Sequence, residues 1–286
     1  MKMKFPLLFS AAALTAVSLS SCGRGGDASE TITVAGSDTM LQVGLSWADA
    51  YKSVDETVAV SVAGEGSSTG FKALIDDTAQ IAHSSRAIKD SEAEKIKAAH
   101  GKDAVEHVVG YDGIAVFINE DNPVKSLSLP QLKEIWAEGG SINNWNQVGG
   151  PDLEITRFGR SNSSGTYGYF QKAVLGKGTE YKPGTSASPG SSAVVESCVT
   201  TRSAIGYSGM SYKTEHVGWL AVSAEDGGEA IEPSIENVKA KKYPIARPLY
   251  IYTVGEPTGK AKEYLDWVKS DAGQKVVAEQ GFVPYK

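Results

Sequence analysis

Residues 160–170 place an arginine before a run of small polar residues and a group of aromatic residues. The small residues indicate a loop that opens a helix, and the first N–H groups of a helix have no partner inside it. An arginine beside such a loop adds a charge and a planar fork of donors, which suits an oxyanion. The alternative is a serine-rich turn that caps a helix, because Ser and Gly are ordinary turn residues. The candidate ligands here are Arg160, Ser164, Gly165 and Thr166.

Three earlier segments carry small polar residues directly after a predicted strand. The strands cover residues 31–35, 58–63 and 80–82, and each is short and apolar. In sheets with parallel strands, ligands bind beyond the carboxyl ends of the strands. We therefore expect these segments to converge on one anion. These segments contain Ser37, Asp38, Thr39, Ser67, Ser85 and Arg86.

The elements that position these residues alternate between strands and helices along the chain. Helical spacing of apolar residues follows most of the predicted strands, and two helices end the chain. Further strands are predicted at residues 107–110, 114–118, 154–158, 204–207 and 248–254. Helices are predicted at residues 40–51, 71–75, 90–100, 129–136, 167–175, 191–200, 260–269 and 271–280. This order predicts an α/β fold with largely parallel sheets, and 286 residues suffice for two lobes.

The N-terminus has the pattern of a targeting segment. Lys2 and Lys4 precede an apolar stretch, residues 5–19, that is too short to span a bilayer. The following residues, Leu-Ser-Ser-Cys, resemble the lipobox of bacterial lipoprotein signal peptides. The resemblance implies cleavage before Cys22 and lipid attachment to its thiol, with residues 23–30 as a polar tether. An ordinary secretory signal is the alternative.

Charge and composition exclude several classes of partner. The net charge is -6 and the sequence pI is near 5.4, whereas nucleic acids and anionic membranes require a basic surface. The second cysteine, Cys198, has no partner for a disulfide if Cys22 is lipidated. The four histidines show no metal-ligand spacing, so neither a metal nor a cofactor is expected.

Several sequence patterns of enzymes are absent. The chain has no Walker motif and no histidine positioned as a base beside the loop at residues 160–170. Anion sites without a base bind their ligand and do not transform it. We therefore predict a binding protein.

Six motifs in a fixed order give the chain a family resemblance. AGSDTM, GEGSSTGFKAL, IAHSSRAI, YDGIAVFINEDNPV, LKEIW and RSNSSGT resemble the phosphate-binding proteins of bacterial phosphate ABC transporters. The resemblance implies a two-lobed periplasmic-binding-protein fold of type II with two crossover segments. It places residues 31–111 and 247–286 in lobe I and residues 112–246 in lobe II. It also implies an extracytoplasmic monomer that touches the membrane only through its lipid and delivers phosphate to permease subunits.

The resemblance carries over residue by residue, with one departure. Ser37 and Thr39 would line one wall, Ser67 a second, and the loop at residues 160–166 the other lobe. Better-known members place an aspartate after the third strand, to accept the proton of hydrogen phosphate, where this chain has Ser85 and Arg86. Arg86 is expected either to contact phosphate or to pair with a carboxylate across the cleft.

Two carboxylates are candidates for the missing proton acceptor. Sulfate has the shape of phosphate but no proton near neutral pH, so an acceptor in the site would repel it. Asp38 and Asp112 both adjoin predicted site loops. Their alternative roles are a helix-start residue for Asp38 and a hinge turn for Asp112. Other readings of the whole chain are a binding protein for sulfate or molybdate, or a phosphate-sensing surface lipoprotein.

Overall fold

The structure is a computed structural model that describes residues 30–286. The predicted signal peptide and lipobox, with Cys22, lie outside these residues. Of the predicted tether, Glu30 alone is described, and it begins the first strand. Among the described residues, no helix combines the length and the apolar character needed to cross a membrane.

Ten strands and nine α-helices make up the described part of the chain. The strands are β1 Glu30–Gly36, β2 Val58–Gly64, β3 Ile81–Ser84, β4 Ala104–Asn119, β5 Ser126–Ser128, β6 Thr156–Arg160, β7 Ser186–Ser188, β8 Ala204–Gly209, β9 Val217–Ser223 and β10 Ala246–Val254. The helices are α1 Leu41–Tyr51, α2 Ser67–Ile75, α3 Asp90–His100, α4 Leu129–Trp136, α5 Gly165–Phe170, α6 Ser191–Thr200, α7 Ile235–Lys239, α8 Gly259–Val268 and α9 Asp271–Glu279.

One long strand joins the two halves of the sheet. The strand order is β2-β1-β3-β10-β4-β8-β6-β7, with β9 paired to β4 and β5. The first part of β4 pairs with β10, and the part from Ile114 onward pairs with β8 and β9. We call the elements around the first half lobe I and those around the second half lobe II.

Each lobe combines parallel and antiparallel strands. In lobe I, β1 is parallel to β2 and β3, and in lobe II, β6 is parallel to β7 and β8. The antiparallel pairs involve β4 or β10, the two strands that connect the lobes. The predicted α/β fold with parallel strands in each lobe is confirmed, and the connecting strands add the antiparallel pairs.

The hydrophobic core separates in the same way. One cluster runs from Ile114 to Ile245 and also takes in Val283. Two others draw on residues 32–109 and 249–282. Each lobe thus buries its own apolar side chains, which leaves polar residues to meet where the lobes face each other.

The buried ring of His83 makes the stability of lobe I dependent on pH. Burial lowers the pKa of His83 to about 3 from its ordinary value of 6.5, and its Nε2 has no hydrogen-bond partner. The unfolded chain takes up this proton below about pH 6.5 while the folded chain does not. Folding stability should therefore fall as the pH drops from about 6.5 toward 3, by up to about 1.4 kcal/mol per pH unit.

This prediction is tested by urea unfolding between pH 7 and pH 4. His83→Phe keeps an aromatic ring against Trp47 but cannot take a proton. We expect it to flatten the pH dependence, whereas the matched control His216→Gln, at an exposed position, should leave the slope of the wild type. Equal slopes in wild type and His83→Phe would contradict the assignment.

Candidate anion-binding site

Hydroxyl groups from four separate segments meet where the two lobes face each other. The Oγ1 atoms of Thr39 and Thr166 lie 2.8 Å apart, and Ser37 Oγ donates to Ser85 Oγ at 2.9 Å. The Ser85 N–H donates to Ser67 Oγ at 3.1 Å. All five side chains are at most 2% exposed. We call these residues the hydroxyl cluster, and it contains the predicted ligands Ser37, Thr39, Ser67, Ser85 and Thr166.

A glycine lets the lobe I wall approach lobe II closely. Gly66, just before α2, has a φ of 139°, a conformation that L side chains rarely adopt. A Cβ there would lie 2.7 Å from the Ser163 carbonyl oxygen. The short distance allows a hydrogen bond from the first turn of α2, in which the Ser68 N–H donates to the same oxygen at 3.0 Å. The start of α2 is thereby held against the loop after β6.

The loop after β6 is organised by a helix cap. Ser164 is the N-cap of α5, and its Oγ accepts from the N–H groups of Thr166 at 3.1 Å and Tyr167 at 3.4 Å. Gly165 follows with no side chain, and a Cβ there would lie 2.3 Å from Ser67 Oγ and 2.5 Å from Ser85 Oγ. The capping role considered from the sequence is therefore present, and it sets the loop directly against the hydroxyl cluster.

Arg160 is buried and connects the lobes through Asp38. Its Nη2 lies 2.8 Å from Asp38 Oδ2, and its Nη1 donates to Ser191 Oγ at 2.7 Å. Ser191 donates to the same Asp38 oxygen from its N–H at 2.8 Å and its hydroxyl at 2.7 Å. Burial lowers the pKa of Arg160 and the charge of Asp38 opposes this shift. The buried Nε of Arg160 has no hydrogen-bond partner in the structure.

Arg86 is not part of the hydroxyl cluster, and its guanidinium pairs with a carboxylate of its own lobe. Its Nη1 and Nη2 donate to the two carboxylate oxygens of Glu92 at 2.8 and 2.6 Å. Nη2 also reaches Ser68 Oγ at 3.0 Å. Glu92 lies on α3 of the same lobe, so the pair does not cross the cleft. The short distance along the chain explains this: α3 begins four residues after Arg86, and Glu92 is in its first turn.

Asp112 is completely buried and pairs with Arg247, a residue that the sequence patterns did not single out. Asp112 Oδ2 accepts from Arg247 Nε at 3.1 Å and Nη2 at 2.8 Å, and its Oδ1 has no partner. Burial raises the pKa of Asp112, and the charge of Arg247 works against this. Asp112 is thus not a hinge-turn residue, because β4 runs through it without a break.

Two contributors to the site were thus missed or misjudged from the sequence. Ser191 was predicted only as the first residue of a helix, but it binds Asp38 and Arg160, while Gly190 occupies the N-cap position of α6. Arg247 lies directly before the strand predicted at residues 248–254, and the available signal was a charged residue next to an apolar strand. Residues 30–286 contain no group of three or more metal-binding side chains.

Comparisons with known proteins agree with this architecture. Residues 24–272 match the family model described as a PBP superfamily domain. The phosphate-binding protein PstS of Pseudomonas aeruginosa is 33% identical over 90% of this chain and 83% of its own length. The PstS protein of Bacillus subtilis is 35% identical over 90% of this chain and 81% of its own.

A solved structure extends the similarity to three dimensions. It is assigned as the substrate-binding protein of a phosphate ABC transporter from Clostridium perfringens and holds bound phosphate. Its TM-score is 0.80 at 31% identity, covering 90% of this chain and 100% of the other. The predicted periplasmic-binding-protein fold is therefore confirmed. With the family match over residues 24–272 and these identities, the chain belongs to the PBP superfamily and, within it, to the phosphate-binding proteins.

Proposed function

We propose that this protein binds inorganic phosphate between its lobes and delivers it to the permease subunits of an ABC transporter. The observation that carries the proposal is the hydroxyl cluster, in which buried donors from both lobes lie within hydrogen-bond distance of one another. The named relatives, which are phosphate-binding proteins, support the choice of ligand. The cluster offers many donors, and a tetrahedral anion offers four oxygens to accept from them.

The donors suffice for tight binding. A hydrogen bond to a charged group contributes about 1.5–3 kcal/mol net, and micromolar affinity corresponds to about 8 kcal/mol. Three to five such bonds therefore reach that range. We assign these bonds to the hydroxyl cluster and to the unpartnered Nε of Arg160, with Ser164 and Gly165 shaping the loop. Arg86 is not among these ligands, because Glu92 and Ser68 hold its guanidinium.

We also propose that the site binds its ligand without catalysis, and the surroundings of the cluster support this. His83 lies two residues before Ser85, but its ring packs edge-on against Trp47, with the centroids 5.9 Å apart. Its pKa of about 3 makes it a weak base. No cofactor is needed for this role. We therefore assign the site to ligand capture.

The separate hydrophobic cores support the division of the chain into two lobes. We assign residues 31–111 and 247–286 to lobe I and residues 112–246 to lobe II, joined by β4 and β10. Closure about these two strands would bring Asp38 of lobe I onto Arg160 of lobe II. Small-angle scattering with and without phosphate would measure that closure as a change in the radius of gyration.

The mature protein is proposed to be an extracytoplasmic monomer held at the membrane by lipid on Cys22. The lipobox-like residues 19–22 support this anchor. The mass of the mature N-terminus checks both the cleavage and the lipid. An N-terminus without lipid at another residue would show that the segment is an ordinary secretory signal and that the anchor is absent.

Calorimetry on residues 23–286 tests the proposed ligand. We expect tight binding of phosphate and no heat from sulfate or molybdate. Sulfate binding of equal strength would overturn the selectivity argument, and molybdate binding alone would assign the protein to a different oxyanion.

Discrimination between phosphate and sulfate is expected to depend on Asp38. Its Oδ2 is held by Arg160 and Ser191, and it is 15% exposed at the junction of the lobes. We propose that the other carboxylate oxygen of Asp38 accepts a hydrogen bond from the P–OH group of hydrogen phosphate. Asp38→Asn should raise the affinity for sulfate relative to phosphate about tenfold or more, because the unpaired-charge penalty disappears.

Asp112→Asn is the matched comparison for this prediction. The Asp112 carboxylate is already bound by Arg247. Asp112→Asn should therefore weaken the binding of both anions and leave the ratio of their affinities unchanged. Calorimetric titrations of each variant with both anions give the two ratios. A ratio that changes in Asp112→Asn and not in Asp38→Asn would exchange the roles.

A further inference from the structure

The ion pair between Asp112 and Arg247 occupies the connection between the lobes. The two residues are register partners on β4 and β10, the strands that run from one lobe to the other. Both side chains are 0% exposed. Buried ion pairs contribute little net stability on average, so the position of this pair calls for a further explanation.

Arg247 also contacts the hydroxyl cluster in both lobes. Its Nη2 donates to Thr166 Oγ1 at 3.0 Å and to Thr39 Oγ1 at 3.4 Å. Its Nη1 donates to the Ser85 carbonyl oxygen at 3.0 Å. One guanidinium, fixed by Asp112, therefore touches three of the segments that form the site.

These contacts determine how the threonine hydroxyls can act. A guanidinium has no acceptor, so a hydroxyl bonded to it must accept and keeps its own proton free to donate. Thr39 and Thr166 share Arg247 in this way, and their oxygens are 2.8 Å apart. Only one of the two protons can lie between these oxygens, whereas an approaching anion can accept both.

We propose that Arg247 is a positioning residue that turns the Thr39 and Thr166 hydroxyls into donors for the bound anion, with Asp112 fixing its orientation. This inference rests on the proposed function. The ion pair is formally neutral, so it directs the hydroxyl groups without adding net charge behind the anion. A lysine at position 247 has no planar fork and could not hold Asp112, Ser85 and both threonines together.

The alternative role, direct charge contact with the anion, makes the opposite prediction for Asp112. If Arg247 itself bound phosphate, Asp112→Asn would free its charge and tighten binding. If Arg247 orients the threonines, Asp112→Asn releases it from that position and weakens binding. The sign of this change separates the two roles.

The test is a set of phosphate titrations by calorimetry on the mature chain. We expect Arg247→Gln to weaken binding about 10- to 100-fold, as for the loss of one or two hydrogen bonds to a charged group. Asp112→Asn should weaken phosphate binding by a similar factor. The double variant should bind no more weakly than either single variant, because the two residues act as one unit. Arg157→Gln is the matched control, since Arg157 is a buried arginine that bonds to carbonyl groups away from the cluster.

A second double-mutant cycle tests the role of the Thr166 hydroxyl directly. Thr166→Val should weaken phosphate binding about tenfold or more in the wild type but much less in Arg247→Gln, where the hydroxyl is no longer oriented. A purely structural role of Arg247 would leave the effect of Thr166→Val unchanged, and this result would overturn the inference. Tighter binding by Asp112→Asn would overturn it as well.

Two outcomes keep this inference distinct from the proposed function. If the wild type does not bind phosphate, the proposed function is wrong. If the wild type binds phosphate and Arg247→Gln binds it with the same affinity, the positioning role alone is wrong. If Arg247→Gln does not fold, as shown by circular dichroism, the double variant with Asp112→Asn removes both buried charges together. Wild-type affinity in that double variant would equally overturn the inference.

Discussion

Arg160→Ala is expected to abolish measurable phosphate binding. The substitution removes a buried guanidinium whose unpartnered Nε we assign to the anion. It also leaves Asp38 without its arginine, so an uncompensated negative charge remains beside the site. Breaking a buried ion pair in this way costs about 3–5 kcal/mol, or roughly two to four orders of magnitude in affinity. A micromolar complex would then move to the millimolar range or beyond, and calorimetry would register no heat.

Two further variants show whether the charge or the geometry of Arg160 matters. Arg160→Lys keeps the charge but cannot reach both Asp38 and Ser191 with a planar fork, so we expect partial loss. Arg202→Ala, at a side chain that is 81% exposed, is the control for removal of a positive charge and should bind normally. Normal affinity in Arg160→Ala would exclude Arg160 from the site.

The pairing of Arg160 with Asp38 also links affinity to closure. The two residues belong to different lobes, so their ion pair forms only when the lobes are together. Ser191 stabilises the same carboxylate from the start of α6. In the closure that we propose, Asp38 would gain its arginine partner, and Arg160 would be held at the junction of the lobes. A ligand that binds the closed form shifts the equilibrium by its difference in affinity for the two forms.

The sequence was most informative where chemistry and local structure coincide. Small polar residues after an apolar strand predicted the turns at Ser37, Ser67 and Ser85, and the structure brings these turns together. The limits of elements were less predictable. Helix α2 begins at Ser67 and not at residue 71, because the polar residues of the turn continue directly into helical geometry. Strand β9 escaped prediction.

The remaining site residues depend on contacts between distant segments. Arg247 and Asp112 are 135 positions apart and meet because β10 and β4 are antiparallel neighbours. Nothing in the spacing of either residue signals the other. Arg86 illustrates a second limit: its position beside predicted ligands left its partner open, and the first turn of a nearby helix supplies that partner. Local patterns predict the turns of such a site, and the strand topology decides which charges face it.

Substitution of Gly165 is expected to hinder closure without unfolding either lobe. A Cβ at this position would lie 2.3 Å from Ser67 Oγ and 2.5 Å from Ser85 Oγ, both in the opposite lobe. Rotating Ser67 away would break its bond from the Ser85 N–H. Overpacking of this kind costs about 1–3 kcal/mol, so Gly165→Ala should weaken phosphate binding roughly 5- to 150-fold. Gly165→Val should weaken it further.

The steric origin of this effect can be separated from a general disturbance of α5. Gly168→Ala is the matched control in the same helix, because a Cβ there would meet its nearest neighbour, Arg86 Cδ, at an ordinary 3.4 Å. Small-angle scattering at saturating phosphate should show a smaller compaction for Gly165→Val than for the control, while thermal unfolding without phosphate should be alike. Full compaction and wild-type affinity in Gly165→Val would mean that the two lobes do not meet across this glycine when phosphate is bound.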